Sequence, residues 1–221
     1  MLSSLYHSIN KNKNADAIIC DYYCIDNNNS LRICKEPFKN KTEYINKLIH
    51  WNSVNTALWA KAIRKTFIDE YNVKFEEDIT LGEDLCFMSR LFYYAKEIIY
   101  LPKALYVWNR TNTNSITSQG KHQYDLITLY ERIIQFYKEK KDYATFKKSL
   151  DKSVIRLMEF LYVYKKCTSF GFLPSTINKS NLSLIELIEY YLIKHKLYKL
   201  TCIAEKIRRN INNILYNQRS D

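Results

Sequence analysis

Five carboxylates fall within nine residues: Glu76, Glu77 and Asp78, then Glu83 and Asp84. A carboxylate within hydrogen-bond reach of a hydroxyl can take its proton as the oxygen attacks. Asp84 is therefore a candidate general base, and Glu83 a group that would orient the substrate or shape the local field. The same spacing also fits a structural use, because acids at a helix start oppose its unpaired N–H groups favourably. A second group is Asn55, Leu58, Trp59, Ala60 and Lys61. It could hold an acceptor, with the indole against an apolar sugar face and the ammonium beside an anion, or it could be a core tryptophan beside a surface lysine. The third is Tyr106-Val107-Trp108-Asn109-Arg110, followed by Asn114-Ser115-Ile116. Arg110 at a strand end could pair bidentately with phosphate, or be an ordinary surface arginine.

Other chemistries lack their signatures. His7, His50, His122 and His195 are scattered, with no H-E-x-x-H spacing, and neither a G-x-G-x-x-G stretch nor a P-loop is present. The six cysteines, at 20, 24, 34, 86, 167 and 202, form no C-x-x-C pair and read as free thiols of a cytoplasmic protein.

The elements that must position these groups are read from periodicity. Leu2, Leu5, Tyr6 and Ile9 recur at helical spacing, and Ala15 to Tyr23 is a nearly continuous apolar run suited to a buried strand. Residues 26–30 form a turn by composition, with a short return strand at Leu31 to Cys34. Leu58, Trp59, Ile63 and Phe67 predict a helix from Thr56 to Glu70; Phe75 to Leu81 reads as a loop, and Glu83 to Ala95 as a helix entered through Gly82. Ile98 to Leu101 and Ala104 to Trp108 are two short strand candidates split by Pro102-Lys103. Asn109 to Gly120, rich in Asn, Thr and Ser, is the best boundary, and beyond it apolar stripes predict three to five helices.

With 221 residues, 47% hydrophobic and 26% charged, the composition is that of a globular protein. No apolar run approaches the roughly 18 residues of a membrane span, and the first residues lack the pattern of a signal peptide. The net charge of +11 is uneven: residues 1–125 carry 16 basic and 14 acidic side chains, and residues 126–221 carry 18 and 9. Such asymmetry marks a basic surface suited to an anionic partner. Nucleic acid fits poorly, since no binding motif is present and the basic residues are spread over several helices.

Taken in order, residues 15–22, 55–61, 81–87 and 106–110 with Ser115-Ile116 resemble family 2 glycosyltransferases of the GT-A type, especially bacterial enzymes building capsular or cell-surface polysaccharides. The resemblance covers about Leu2 to Ile116. It implies an α/β fold, with a partial GT-A-like sheet and flanking helices over residues 1–120 and an all-helical region over 121–221. It also implies an inverting transferase that moves a sugar from a nucleotide-sugar to a saccharide or lipid-linked acceptor. Asp84 would be the general base; Glu83 would flank the acceptor; Trp59 and Lys61 would belong to the helix framing the acceptor side, with Asn55 also binding substrate; and Arg110 would lie near the donor phosphates. A divalent metal, Mn or Mg, would stabilise the departing diphosphate, but no ligand set for it is read in this chain.

The chain departs from that family at its start: the strands that bind the nucleotide and the D-x-D motif that holds the metal have no counterpart, as in a truncated or split enzyme. Two expectations follow. The strand Ala17 to Cys20 should present an exposed edge, to be covered by self-association or by a partner. The isolated chain could also be inactive. The alternative is a non-catalytic interaction module whose basic helices bind a partner protein or the inner face of an anionic membrane.

Overall fold

The computed structural model describes residues 1–50, 54–111 and 122–217, without the side chains of 211–217. Asn114, Ser115 and Ile116 lie outside the described residues, as does most of the expected boundary before residue 120. The architecture is mixed α/β: a small open sheet flanked by helices, followed in sequence by an all-helical region. The chain forms two compact units, Met1–Lys140 and Lys141–Asp221.

In the first unit, helix α1 (Leu2–Lys11) leads into β1 (Ala17–Ile25), whose first six residues are all buried. Strand β2 (Leu31–Cys34) returns antiparallel beside the second half of β1, and β3 (Lys61–Ile63) runs antiparallel beside its first half. Strand β4 (Ile98–Asn109) pairs parallel with β1 along its whole length, so β2 and β3 share the opposite edge. Both edges of Ala17 to Cys20 are therefore covered, and the expected exposed edge is not on this strand. Among the described residues the sheet's open edges are the outer sides of β4, β2 and β3.

Two other expectations are corrected. The continuous helix over 56–70 does not form. Residues 61–63 extend to pair with β1, Ala60 takes a left-handed φ of 61°, and only α3 (Lys65–Tyr71) is helical. Trp59 and Lys61 thus sit on a loop and a strand, not on a helix. The two short strands around Pro102-Lys103 are one. The register passes from Cys20 opposite Leu101 to Asp21 opposite Ala104, so Pro102 and Lys103 bulge out of a single strand, where proline removes no needed donor.

Helix α2 (Lys41–Ile49), capped by Asn40, packs its Tyr44, Ile45, Leu48 and Ile49 against α4 (Glu83–Tyr94). Helix α5 (Asp125–Lys138) packs on α4 from the same unit. Its Asp125 accepts from the Thr80 and Leu81 backbone amides, at 2.9 and 3.2 Å, and so holds the turn that leads into α4.

The second unit has a long helix, α6 (Tyr143–Lys165), a short turn α7 (Leu173–Thr176), and two further helices, α8 (Leu184–Lys194) and α9 (Tyr198–Asn217). Helices α8 and α9 pack on α6 and on each other. Ser183 and Glu186 form a reciprocal capping box at the start of α8. None of the helices, among the described residues, is long and apolar enough to cross a membrane.

Candidate functional site

Asp84 lies in the first turn of α4, which begins at Gly82 with φ 90°. That φ is left-handed, which glycine tolerates and other residues rarely adopt. A side-chain carbon at Gly82 would also run into Leu129 of α5. Glycine here serves close packing as well as the turn. The Asp84 carboxylate accepts from the Leu58 amide at 3.2 Å. Burial pushes its pKa above the ordinary range, while the Leu58 N–H and the Lys61 charge oppose the rise. A carboxylate raised in this way is a stronger base than an exposed one.

Lys61 is turned inward. Its ammonium donates to the Asn55 and Ala57 carbonyls at 3.0 and 2.6 Å. Burial lowers its pKa to about 8, against the supporting charges of Glu36 and Asp84. Asn55 takes part through its backbone as well: its N–H donates to Glu36 Oε1 at 2.7 Å, and its side-chain oxygen accepts from Ala57 N–H. The loop over 55–58 is thus gripped by three ionisable side chains from three places in the chain, namely Glu36 after β2, Lys61 on β3 and Asp84 on α4. Two polar atoms beside this grip, Glu36 Oε2 and Asn55 Nδ2, are buried with no hydrogen-bond partner among the described residues.

Glu36 had no signal in the sequence reading. It is 4% exposed, and burial drives its pKa up to about 7, with the Asn55 N–H and Lys61 opposing. Its own N–H donates to Asp21 on β1, which also accepts from the Tyr100 hydroxyl at 2.8 Å. A charged residue just before Pro37 reads as exposed loop; its neighbours Asp21, Asn55 and Lys61 come from distant parts of the chain.

Trp59 follows the Leu58 amide directly and belongs to a wall of aromatic rings. It stacks on Tyr106 at 4.6 Å, meets the edge of Tyr22 at 5.0 Å, and lies 5.6 Å from Trp108. The Arg110 guanidinium stands over Trp108 at 5.2 Å from its centre. Tyr22 and Tyr106 are register partners of β1 and β4, as are Cys24 and Trp108, so the wall sits toward the C-terminal ends of two parallel strands. Open α/β sheets bind ligands at that end. Asp84, Lys61, Asn55, Trp59 and Arg110 are therefore linked by successive contacts, with Glu83 half-buried next to Asp84.

Two of the remaining acids are structural. Glu76 pairs with Arg90 at 2.5 Å and lies 3.7 Å from Arg132, and Asp78 pairs with Arg132 at 3.1 Å. The six cysteines are free thiols, and burial raises the thiols of Cys20, Cys34 and Cys86, the last to about 11. Among the described residues no three His, Cys, Asp or Glu side chains are grouped to hold a metal ion. The metal that the family resemblance implies thus finds no ligand set here.

No family model and no curated protein sequence matches the chain. In fold it is similar to the crystal structure of S. aureus TarS 1–349 in complex with UDP, with a TM-score of 0.61 and 13% identity. The crystal structure of S. aureus TarS 1–349 gives the same values. The likeness covers 95% of this chain and 62% of the TarS chain, so what the two share is a fold over part of that longer protein.

Proposed function

We propose that this chain takes part in inverting transfer of a sugar from a nucleoside-diphosphate sugar to a saccharide or lipid-linked hydroxyl, with Asp84 as the base. The observation that carries this reading is the Asp84 carboxylate itself. It stands in the first turn of a helix, accepts from the Leu58 amide and is lifted in basicity by burial, and Leu58 leads directly into Trp59 of the aromatic wall. The UDP bound to the structurally similar TarS chain, and the resemblance of residues 15–22, 55–61 and 81–87 to family 2 glycosyltransferases, support the substrate class.

In this mechanism the acceptor oxygen attacks the anomeric carbon, its proton passes to Asp84, and the bond to the nucleoside diphosphate breaks with inversion. Trp59 and Tyr106 stack on each other and pack against the core, and in this reading the wall they build, with the more exposed Trp108, borders the sugar. In this reading Arg110, stacked on Trp108 and always charged, meets an anionic group of the donor. Lys61 and Glu36 act through the loop that presents the Leu58 amide. Among the described residues no three His, Cys, Asp or Glu side chains are grouped to hold the divalent metal that the resemblance implies.

The test is turnover of a panel of UDP-sugars with saccharide acceptors, followed by the anomeric configuration of the product. Asp84→Asn should lower turnover by about a hundredfold or more, the usual worth of a positioned base, whereas Glu83→Gln should cost less. Wild-type turnover by Asp84→Asn, or a product with retained configuration, would sink the assignment.

A further inference from the structure

Helices α8 and α9 are amphipathic the wrong way round for a pair that is complete in itself. The inner side of α8 carries Glu186 and Glu189, 5% and 0% exposed, while Leu184, Ile185, Ile188 and Tyr191 lie outward, with Leu184 74% exposed. On α9, Thr201 and Glu205 are buried, while Leu200, Ile203 and Ile207 form one stripe at helical spacing, each more than half exposed. The inward glutamates are there for a reason the structure makes plain. Arg156 of α6 reaches Glu186 and Glu189, Arg208 of α9 reaches Glu189 and Glu159, and together they make a buried network. Beside that network Tyr190 and Ile193 also turn inward, while Leu184, Ile185, Ile188 and Tyr191 are left on the outer side.

Burial of the acids also decides the surface charge. Asp151, Glu159, Glu186, Glu189 and Glu205 are all buried, which leaves Asp142 as the exposed acid among the described residues of this unit. Lys194, Lys196, Lys199, Lys206 and Arg209, by contrast, are exposed on the same two helices and the turn between them. An aliphatic stripe bordered by lysines, with almost no surface anions, is what a helix lying in the plane of an anionic lipid surface requires. The apolar side chains enter the acyl boundary, and the ammonium groups reach the headgroups. A second copy of the chain fits less well, since it would set one lysine-rich face against another. Nucleic acid would leave the aliphatic stripe exposed to water.

We propose that the outward faces of α8 and α9 form a peripheral docking surface for anionic bilayers. This inference is independent of the base assigned to Asp84, which lies in the other unit, and goes beyond it. The surface lies on the membrane and does not cross it, in keeping with the absence of a spanning helix among the described residues.

The experiment is co-sedimentation of the full chain with vesicles of phosphatidylcholine alone and of phosphatidylcholine mixed with phosphatidylglycerol. The chain should bind the mixed vesicles and be left in solution by the neutral ones. The double variant Ile203→Ser, Ile207→Ser should lower partitioning by at least about tenfold, from the apolar area withdrawn. Lys199→Glu with Lys206→Glu should do the same. All four positions are exposed, and an unchanged circular dichroism melt confirms that each variant folds. Absence of binding to mixed vesicles would overturn the proposal. So would binding that the serine variant leaves intact, which would mean adsorption by charge alone, or concentration-dependent dimers that the serine variant dissolves, which would mean that a second copy covers the face.

Discussion

At the scale of single residues, the site depends on charges placed where water cannot easily reach them. Glu36 shows this best. An acid ordinarily ionising at 4.5 is held protonated to about 7 in the folded chain. Between those values the folded state binds more protons than the unfolded one, so the unfolding free energy falls as pH rises through that window. The fall attributable to this group is on the order of 3 kcal/mol. Glu36→Gln keeps an acceptor for the Asn55 amide and removes the titration. Denaturant melts from pH 4.5 to 7 should show wild type losing stability relative to the variant, and parallel curves would refute the assignment. Glu36 was illegible in the sequence for the same reason that it matters: its surroundings are assembled from β1, the 55–58 loop and β3, and no local pattern encodes them. Asp84, by contrast, was legible, because a glycine followed by two acids is a local signal for a helix start.

Among the elements, β1 and α4 could be read directly, one from a continuous apolar run and the other from its entry and periodicity. The segment 56–70 could not. Its apolar residues repeat at helical spacing, yet Lys61 to Ile63 satisfy their backbone groups against β1, and tertiary pairing overrides propensity. Helix α2 was not expected, although Asn40 with Glu43 at its start and Tyr44, Ile45, Leu48 and Ile49 at helical spacing are local signals for it. Gly82 was read as a source of freedom at the entry to α4, and the packing adds a second requirement there. Gly82→Ala must place a side-chain carbon at a left-handed φ and against buried Leu129. It should destabilise the fold by about 1–3 kcal/mol. Thermal or denaturant melts check this directly, and a variant as stable as wild type would show that α5 yields at that point.

At the scale of the molecule, the two units divide the sequence's signals between them. Met1–Lys140 gathers the motif residues, while Lys141–Asp221 carries most of the excess positive charge and, among the described residues, buries every acid but Asp142. The charge asymmetry was visible in the composition, but the inward turn of the glutamates was not, since a helix with alternating acids and aliphatics reads equally well either way round. The central claim concerns the first unit: Asp84 takes the proton from the attacking hydroxyl. Its most direct test is the pH profile of sugar transfer by wild type and by Lys61→Met. Lys61 is one of the influences holding the Asp84 pKa down, so its removal should move the acid limb of the profile to higher pH. An acid limb that stays where it is in Lys61→Met would contradict Asp84 as the base.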